Sequence, residues 1–190
     1  MRLGIFGGSF DPPHLGHLLP VIDAAESLGL DAVRFVPAAV QPFKVGRASA
    51  GPAHRLAMTQ RLVAGIPSFA VDSVEIDRPG LSFMVDTLAT MAAHYPEAER
   101  VLLLGADTFA LLDEWREPAR IRQLATIAVL VRGEDRLPDP GARTGVRLLQ
   151  TRRVDISSTE LRARVADGRT IRGFVPDAVA DYIAEHRLYR

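Results

Sequence analysis

The sequence contains no cysteine, no net charge and no long apolar run, and each absence excludes a class of protein. Without cysteine, the 190-residue chain can form neither disulfides nor a thiolate-ligated metal site. Its 23 basic residues balance 23 acidic ones, so there is no overall positive field to hold nucleic acid or an anionic membrane. No apolar stretch reaches membrane-spanning length, and we find no charged-then-apolar leader. We therefore expect a cytoplasmic protein that binds any phosphate group locally.

Lysine is nearly absent as well. Of the 23 basic residues 22 are arginine, and the single lysine is Lys44. This bias is typical of a GC-rich genome, yet one retained lysine suggests a position where a compact ammonium does what a planar guanidinium cannot. Chance survival on a loop is the alternative interpretation.

Strand and helix patterns alternate along the chain. We predict strands at residues 2–6, 32–36, 69–76, 100–104, 127–131 and, more weakly, 146–149. Helices are predicted at about 14–28, 54–64, 82–94, 157–166 and 175–186, and a mobile loop at 133–145. In the strand at 69–76, Asp72 and Glu75 fall on opposite faces, which predicts exposure near one end.

This alternation predicts an α/β fold, a Rossmann-like doubly wound parallel sheet with helices on both faces. No linker or composition shift divides residues 1–190, so we expect a single domain, with the helical part at about 157–190 on the same core. The ligand crevice should lie at the carboxyl ends of the strands.

A glycine-rich loop follows the first predicted strand, at residues 7–17 (GGSFDPPHLGH). Gly7 and Gly8 allow a tight exit and close backbone approach, and the Asp-Pro-Pro that follows forces a turn. The helix then begins near His14, and free N–H groups at a helix start favour an anion. His14 and His17 lie three residues apart and would share the face directed at that anion.

The histidine pair has two plainer interpretations, namely surface decoration or half of a metal site. Zinc would need further ligands, yet the chain has no cysteine, and His54, His94 and His186 lie in segments without ligand spacing. The glycines also match neither of the two common phosphate loops, since there is no Gly-x-x-x-x-Gly-Lys and no Gly-x-Gly-x-x-Gly. We predict no protein-ligated metal site.

A second motif lies at residues 156–162 (ISSTELR). Ser157 followed three residues later by Glu160 is a capping box, which predicts a second helix start with free N–H groups. Ser158 and Thr159 add hydroxyl donors there, and Arg162 lies one turn further on. A well-capped surface helix is the alternative.

Together, residues 8–17 and 156–162 resemble the two signatures of the nucleotidyltransferase superfamily with paired histidines. Within it the chain is most similar to the bacterial nicotinate-mononucleotide adenylyltransferase family, nearly end to end. This resemblance implies transfer of AMP from ATP to nicotinate mononucleotide, with Mg²⁺ bound mainly through the ATP phosphates. It also implies catalytic roles for His14, His17, Lys44 and Arg162.

The resemblance further implies two sets of binding residues. The set for ATP comprises Gly7, Gly8, Ser9, Phe10, Gly105, Asp107, Ile156, Ser157, Ser158 and Thr159. The set for the acceptor comprises Ser82, Phe83, Met84, Trp115 and Arg132. Many relatives have hydroxyl residues where this chain has Phe83 and Met84, so we expect backbone N–H groups around Ser82 to bind the acceptor carboxylate instead.

Two alternatives stay open at this point. Pantetheine-phosphate adenylyltransferases share both motifs, although the longer chain, Trp115 and the helix after Pro176 argue against them. A catalytically silent nucleotide sensor of the same fold would have no need for His14, His17, Lys44 and Arg162. The oligomeric state is open too, and a homo-oligomer is allowed.

Overall fold

The computed structural model describes residues 1–40, 50–133 and 145–190. Within these ranges the strands are β1 (Arg2–Gly8), β2 (Ala32–Pro37), β3 (Phe69–Val71), β4 (Glu99–Gly105), β5 (Thr126–Arg132) and β6 (Val146–Thr151). The α-helices are α1 (Leu15–Leu28), α2 (Pro52–Val63), α3 (Met84–His94), α4 (Ala106–Phe109), α5 (Pro118–Leu124), α6 (Ser158–Ala166) and α7 (Asp177–Glu185). A 3-10 turn spans Leu112–Glu114.

The described strands form one six-stranded sheet in the order β3-β2-β1-β4-β5-β6. Every pairing is parallel, which confirms the predicted fold class. The chain leaves β1 in one direction to β2 and β3, then returns to the other side of β1 for β4 to β6. The strand order therefore reverses between β1 and β4, and ligands bind at such a reversal in open α/β sheets.

Two apolar cores cover the two faces of the sheet. One joins buried residues of β2, β3, β4 and β5 to those of α1, α2, α6 and α7, and the other joins buried residues of β1, β2, β4 and β5 to those of α3, α4 and α5. Leu161, fully buried, anchors α6, while Val179 and Ile183 anchor α7 on that first core. The C-terminal segment thus packs beside α1, the helix that carries the histidine pair.

Most predicted elements lie within two residues of their predicted bounds. Gly29 ends α1 with φ of 59°, a left-handed conformation that glycine adopts at little cost. In α6, Ser157 Oγ accepts from the Glu160 N–H at 3.1 Å, as the capping pattern predicts. The predicted loop at 133–145 falls almost wholly in residues 134–144, outside the described part of the chain.

The strand predicted at 69–76 is wrong beyond Val71. Residues 72–76 turn away from the sheet, and Asp77 N–H closes a turn on Ser73 O at 2.9 Å. Glu75, predicted near an exposed end, is only 3% exposed, and its Oε1 accepts from Thr87 Oγ1 at 2.6 Å. The partner that allows a buried carboxylate here comes from α3, so no local pattern could have revealed it.

The helix predicted at 82–94 begins at Met84, two residues after its predicted start. Phe83 is its N-cap and Met84 its first residue. Ser82 lies before the helix, where its N–H donates to Val40 O and its Oγ accepts from Ala39 N–H, each at 2.9 Å. Ser82 therefore ties the chain after β2 to the start of α3.

Candidate active site

A cavity of about 670 Å³ opens at the carboxyl ends of β1, β4 and β5, where the strand order reverses. Its wall includes eleven residues predicted to bind substrates or phosphates: Gly7, Gly8, Ser9, His17, Ser82, Phe83, Met84, Gly105, Asp107, Trp115 and Arg132. Residues from both predicted binding sets therefore share one cavity. Its size suits a small-molecule substrate.

The histidine pair lies where the β1 loop becomes α1. His14 is the N-cap of the helix and His17 lies one turn on, with ring centroids 3.8 Å apart. The His14 N–H donates to His17 Nδ1 at 3.3 Å. Because Nδ1 accepts, the ring proton of neutral His17 lies on Nε2, which makes Nε2 a donor.

Gly16 is required by this arrangement. A Cβ at Gly16 would lie 2.9 Å from His14 Nδ1 and 3.4 Å from Ile156 O. Contacts below about 3 Å are not tolerated, so any side chain here would displace the His14 ring, whereas the distance to Ile156 O is an ordinary contact. The glycine between the histidines therefore leaves room for the His14 ring.

His14 is a buried, neutral imidazole. The residue is 4% exposed, and burial lowers the pKa of His14 to about 4 because the imidazolium form loses its hydration. Its Nδ1 is buried and has no hydrogen-bond partner among the described residues. A buried polar atom in a ligand site that lacks a partner is suited to a group that arrives with the ligand.

The second motif docks directly on the first loop. Ser158 Oγ donates to Pro12 O at 2.8 Å, and Arg162 Nη1 donates to Asp11 O at 2.7 Å. Arg162 Nη2 donates to Thr159 Oγ1 at 3.1 Å. The start of α6, far from the first loop in sequence, is therefore held against the loop that leads into α1.

Several predicted residues are not among those that line the cavity. They are His14, Ile156, Ser157, Ser158, Thr159, Arg162 and Phe10. The Phe10 side chain is 1% exposed within the apolar core, and its ring lies 3.0 Å from where a Cβ on Gly8 would be. This side chain therefore supports the loop from the core, and the contact of Phe10 with ATP stays a prediction.

Sequence reasoning missed Arg55, which fixes the other side of the loop. The residue is 4% exposed and donates to Ser9 O, Ala39 O and Ala50 O at 2.8, 2.8 and 3.0 Å. Burial lowers the pKa of Arg55, and the nearby charge of Asp11 opposes that effect. A signal was present: Arg55 occupies the same helical face as Met58 and Leu62, where an apolar residue is the norm.

The acceptor side of the cavity contains a cation that the sequence did not suggest. The Arg116 guanidinium lies 4.9 Å from the Phe83 ring centroid, close enough for a cation–π contact. Arg116 Nη1 also lies 3.9 Å from Asp86 Oδ2, and Trp115 beside it is half-buried. Phe83 thus contributes an aromatic face in place of a hydroxyl. The Ser82 N–H donates to Val40 O and its Oγ accepts from Ala39 N–H, so the predicted contact of backbone N–H groups with the acceptor carboxylate falls to the first turn of α3.

Asp107 and Arg132 lie together at the ends of β4 and β5. Their Oδ2 and Nη2 atoms are 3.6 Å apart, and the Asp107 side chain is almost fully exposed. The pair joins a residue predicted for ATP to one predicted for the acceptor.

One predicted catalytic residue lies outside the described ranges. Lys44, the fourth predicted catalytic residue, lies in residues 41–49, outside them. Across 1–40, 50–133 and 145–190, no group of three or more His, Asp or Glu side chains could hold a metal ion. No helix there is long and apolar enough to cross a membrane.

The lowered pKa of His14 gives the first testable prediction. A histidine whose pKa is lower in the folded chain binds fewer protons folded than unfolded, so the free energy of unfolding rises with pH between the two values. As pH falls from about 6.5 to about 4, His14 should cost on the order of 3 kcal/mol of stability. Denaturant unfolding across this range should show a shallower pH dependence for His14→Ala than for wild type.

The matched control is His94→Ala, which removes an exposed histidine from the end of α3. This variant should keep the pH dependence of the wild type. If His14→Ala also keeps it in full, His14 is not buried as a neutral group.

Comparison with known proteins agrees with this geometry. A family model described as cytidylyltransferase-like matches residues 5–164. A relative from Gemmatimonas aurantiaca, named probable nicotinate-nucleotide adenylyltransferase, is 49% identical, with 100% of this chain and 93% of the relative covered. One of the same name from Thermus thermophilus is 45% identical over the whole of both chains.

Solved structures show the same fold. Nicotinic acid mononucleotide adenylyltransferase from Plasmodium falciparum, complexed with NaAD, superposes with a TM-score of 0.79 at 18% sequence identity, covering 99% of this chain and 97% of the other. The paired histidines, the docked second motif and the full-length relatives lead to one assignment. The chain is a nucleotidyltransferase and belongs to the nicotinate-nucleotide adenylyltransferase family.

Proposed function

We propose that the protein transfers AMP from ATP to nicotinate mononucleotide, giving nicotinate adenine dinucleotide and pyrophosphate. The observation that carries this proposal is the meeting of two helix starts, those of α1 and α6, on the loop that leads into the cavity. Helix starts stabilise anions, and this pair lies beside neutral imidazoles. The names of the full-length relatives support the same reaction.

The proposed chemistry is a direct displacement. The phosphate of nicotinate mononucleotide has a second pKa of about 6, so it is mostly dianionic at pH 7 and attacks the α-phosphate without a general base. The bond from the α-phosphorus to the bridging oxygen of pyrophosphate breaks as the new P–O bond forms. No covalent enzyme intermediate is needed, and the protein contributes alignment and charge stabilisation.

Each predicted residue then has a distinct role. His17 Nε2 donates to an α-phosphate oxygen, and His14 Nδ1 lies ready for a second contact. Arg162, with Lys44, stabilises the leaving pyrophosphate. Asp107 accepts from the ribose of ATP, and Trp115 stacks on the pyridine ring of the acceptor.

Magnesium would be held through the substrate. The donors around the first loop are N–H groups, imidazoles and a guanidinium, which fit phosphate oxygens and do not include the carboxylate oxygens that Mg²⁺ prefers. The nearby Asp11 carboxylate accepts from Ala50 and Tyr189. Mg²⁺ keeps several water ligands and readily binds through phosphates, so we propose that it would be held mainly by the ATP phosphates, where it would supply positive charge on the pyrophosphate side.

We further propose that residues 1–190 act as a single nucleotidyltransferase domain in the cytoplasm. Buried residues of α6 and α7 lie in the same apolar core as those of α1 and α2, which supports one cooperative unit. Limited proteolysis that cuts α7 free without unfolding the rest would argue against it.

A pyrophosphate-release assay with three acceptors tests the reaction. ATP is supplied with nicotinate mononucleotide, nicotinamide mononucleotide or phosphopantetheine, and rates are compared at equal concentrations. We expect the fastest release with nicotinate mononucleotide. Release only with phosphopantetheine would assign the chain to the pantetheine branch, and release with none would leave a nucleotide-binding protein without this activity.

His17→Ala should lower kcat by about two to three orders of magnitude with little change in the KM for ATP. The reason is that an N–H donor to the α-phosphate contributes most in the transition state. Steady-state kinetics with folding checked by circular dichroism provide the measurement, and His94→Ala is the matched control. A kcat of His17→Ala within a few-fold of the wild-type value would show that His17 does not act in the catalytic step.

Lys44→Ala should raise the KM for ATP more than that for the acceptor. Lys44→Arg should restore activity only in part, because a planar guanidinium presents its donors differently from an ammonium. Arg61→Ala, which removes a cation from α2 away from the cavity, is the charge control. An effect confined to the KM of the acceptor would place Lys44 beside the wrong substrate.

The missing hydroxyls at Phe83 and Met84 generate a further prediction about acceptor choice. First-turn N–H groups of α3 favour a carboxylate, so nicotinate mononucleotide should be preferred over the amide by on the order of 1–3 kcal/mol. Met84→Thr should then change kcat/KM for nicotinate mononucleotide only modestly. A preference for the amide, or a gain of about a hundredfold or more in Met84→Thr, would show that the pocket depends on a hydroxyl.

A further inference from the structure

Asp11 is a buried carboxylate beside the catalytic residues that the proposed chemistry does not use. The residue is 7% exposed. Its Oδ1 accepts from Tyr189 Oη at 2.7 Å and from Ala50 N–H at 3.1 Å. Its Oδ2 lies 3.9 Å from Arg162 Nη1. A carboxylate this buried must have partners, and one of them is the penultimate residue of the chain.

Tyr189 is held in place by an unusual turn after α7. Arg187 and Tyr189 have φ of 52° and 64°, in the left-handed region that costs a non-glycine residue on the order of 1 kcal/mol or more. The Leu188 N–H donates to Ile183 O at 3.0 Å, which returns the chain toward the sheet. Burial and the neighbouring Asp11 carboxylate raise the pKa of Tyr189, so its hydroxyl stays a proton donor.

The geometry around Arg162 explains why this hydroxyl matters. Arg162 Nη1 donates to the backbone O of Asp11 at 2.7 Å, while the Asp11 carboxylate stays 3.9 Å away. A close guanidinium–carboxylate pair would have an N–O distance of about 2.7–2.9 Å and would use two N–H donors. Tyr189 and Ala50 both donate to Oδ1, and these two hydrogen bonds restrict rotation of the carboxylate toward the guanidinium.

We propose that Tyr189 is a positioning residue for adenylyl transfer: its hydroxyl fixes the Asp11 carboxylate and thereby keeps Arg162 available to the pyrophosphate side of ATP. Without the hydroxyl, the carboxylate gains freedom to rotate and to pair closely with Arg162. Such a pair would withdraw N–H donors from the leaving group. The inference rests on the proposed function, because it takes Arg162 to act on the ATP phosphates.

Tyr189→Phe is the direct test, since it removes one hydroxyl and keeps the ring. We expect kcat/KM for ATP to fall by about ten- to fifty-fold, because misplacing one group in an aligned site has effects of this order. The KM for nicotinate mononucleotide should stay within about two-fold of wild type. The melting temperature should fall by less than about 5 °C, as for one lost hydrogen bond.

Tyr182→Phe is the matched structural control. Tyr182 lies on α7, and its hydroxyl bonds to His54 Nδ1 at 3.0 Å, away from the first loop. If Tyr189 acts only by anchoring the C-terminal segment, the two variants should have similar kinetics. We expect Tyr182→Phe to keep near wild-type kcat/KM for ATP, and an equal loss in both variants would overturn the proposal.

A double-mutant cycle with Asp11→Asn tests the route of the effect. A neutral amide cannot form an ion pair with Arg162, so adding Tyr189→Phe to Asp11→Asn should cost less than about two-fold. Fully additive losses would show that Tyr189 does not act through the Asp11 charge. If Asp11→Asn does not fold, the comparison of Tyr189→Phe with Tyr182→Phe decides. If the wild type releases pyrophosphate and Tyr189→Phe has the same kcat/KM for ATP, this inference is refuted and the proposed function stands. If the wild type itself releases no pyrophosphate, the proposed function is refuted.

Discussion

The site depends on hydrogen bonds that join the start of α6 to the loop after β1. Ser158 and Arg162 donate to the carbonyls of Pro12 and Asp11, so the two motifs have a fixed relative position before any substrate binds. Arg55 binds the same loop from the opposite side through Ser9 O. Because donors from two helices hold these carbonyls, the loop does not need to be ordered by ATP. Preorganisation of this kind makes positioning effective as a means of catalysis.

In the described part of the site, neutral hydrogen-bond donors and a positive charge occupy different positions. His14 is neutral because it is buried, and His17 accepts at Nδ1, so both imidazoles can offer hydrogen bonds without adding positive charge at neutral pH. Arg162 provides a permanent cation next to them. The arrangement places neutral donors near the proposed reacting phosphorus and positive charge near the proposed leaving group, where negative charge increases as the bond breaks.

Much of the fold follows from local sequence. Continuous apolar runs such as residues 100–104 and 127–131 predict buried parallel strands, and the glycines after β1 and β4 predict where the chain must approach a ligand. The capping residues of α6 are equally local, since Ser157 and Glu160 lie within one turn. These features could be predicted because the physical cause lies within a few residues of the effect.

The parts that could not be predicted depend on distant partners. Glu75 is buried because Thr87 donates to it, and Ser82 is used by Ala39 and Val40, so neither role follows from neighbouring residues. Tyr189 reaches Asp11 across nearly the whole sequence. Phe10 looks like part of a phosphate loop, yet its side chain belongs to the core. Sequence therefore located the site, whereas the structure identified the residues that hold it in place.

The central claim is that aligned, neutral donors promote a single direct transfer of AMP. Stereochemistry at the α-phosphorus tests it most directly, with one isomer of ATP carrying sulfur on the α-phosphate and nicotinate mononucleotide as acceptor. One in-line displacement inverts the configuration, so the dinucleotide product should show inversion by ³¹P NMR. Retention would require two successive displacements through a covalent enzyme intermediate, and would contradict the account.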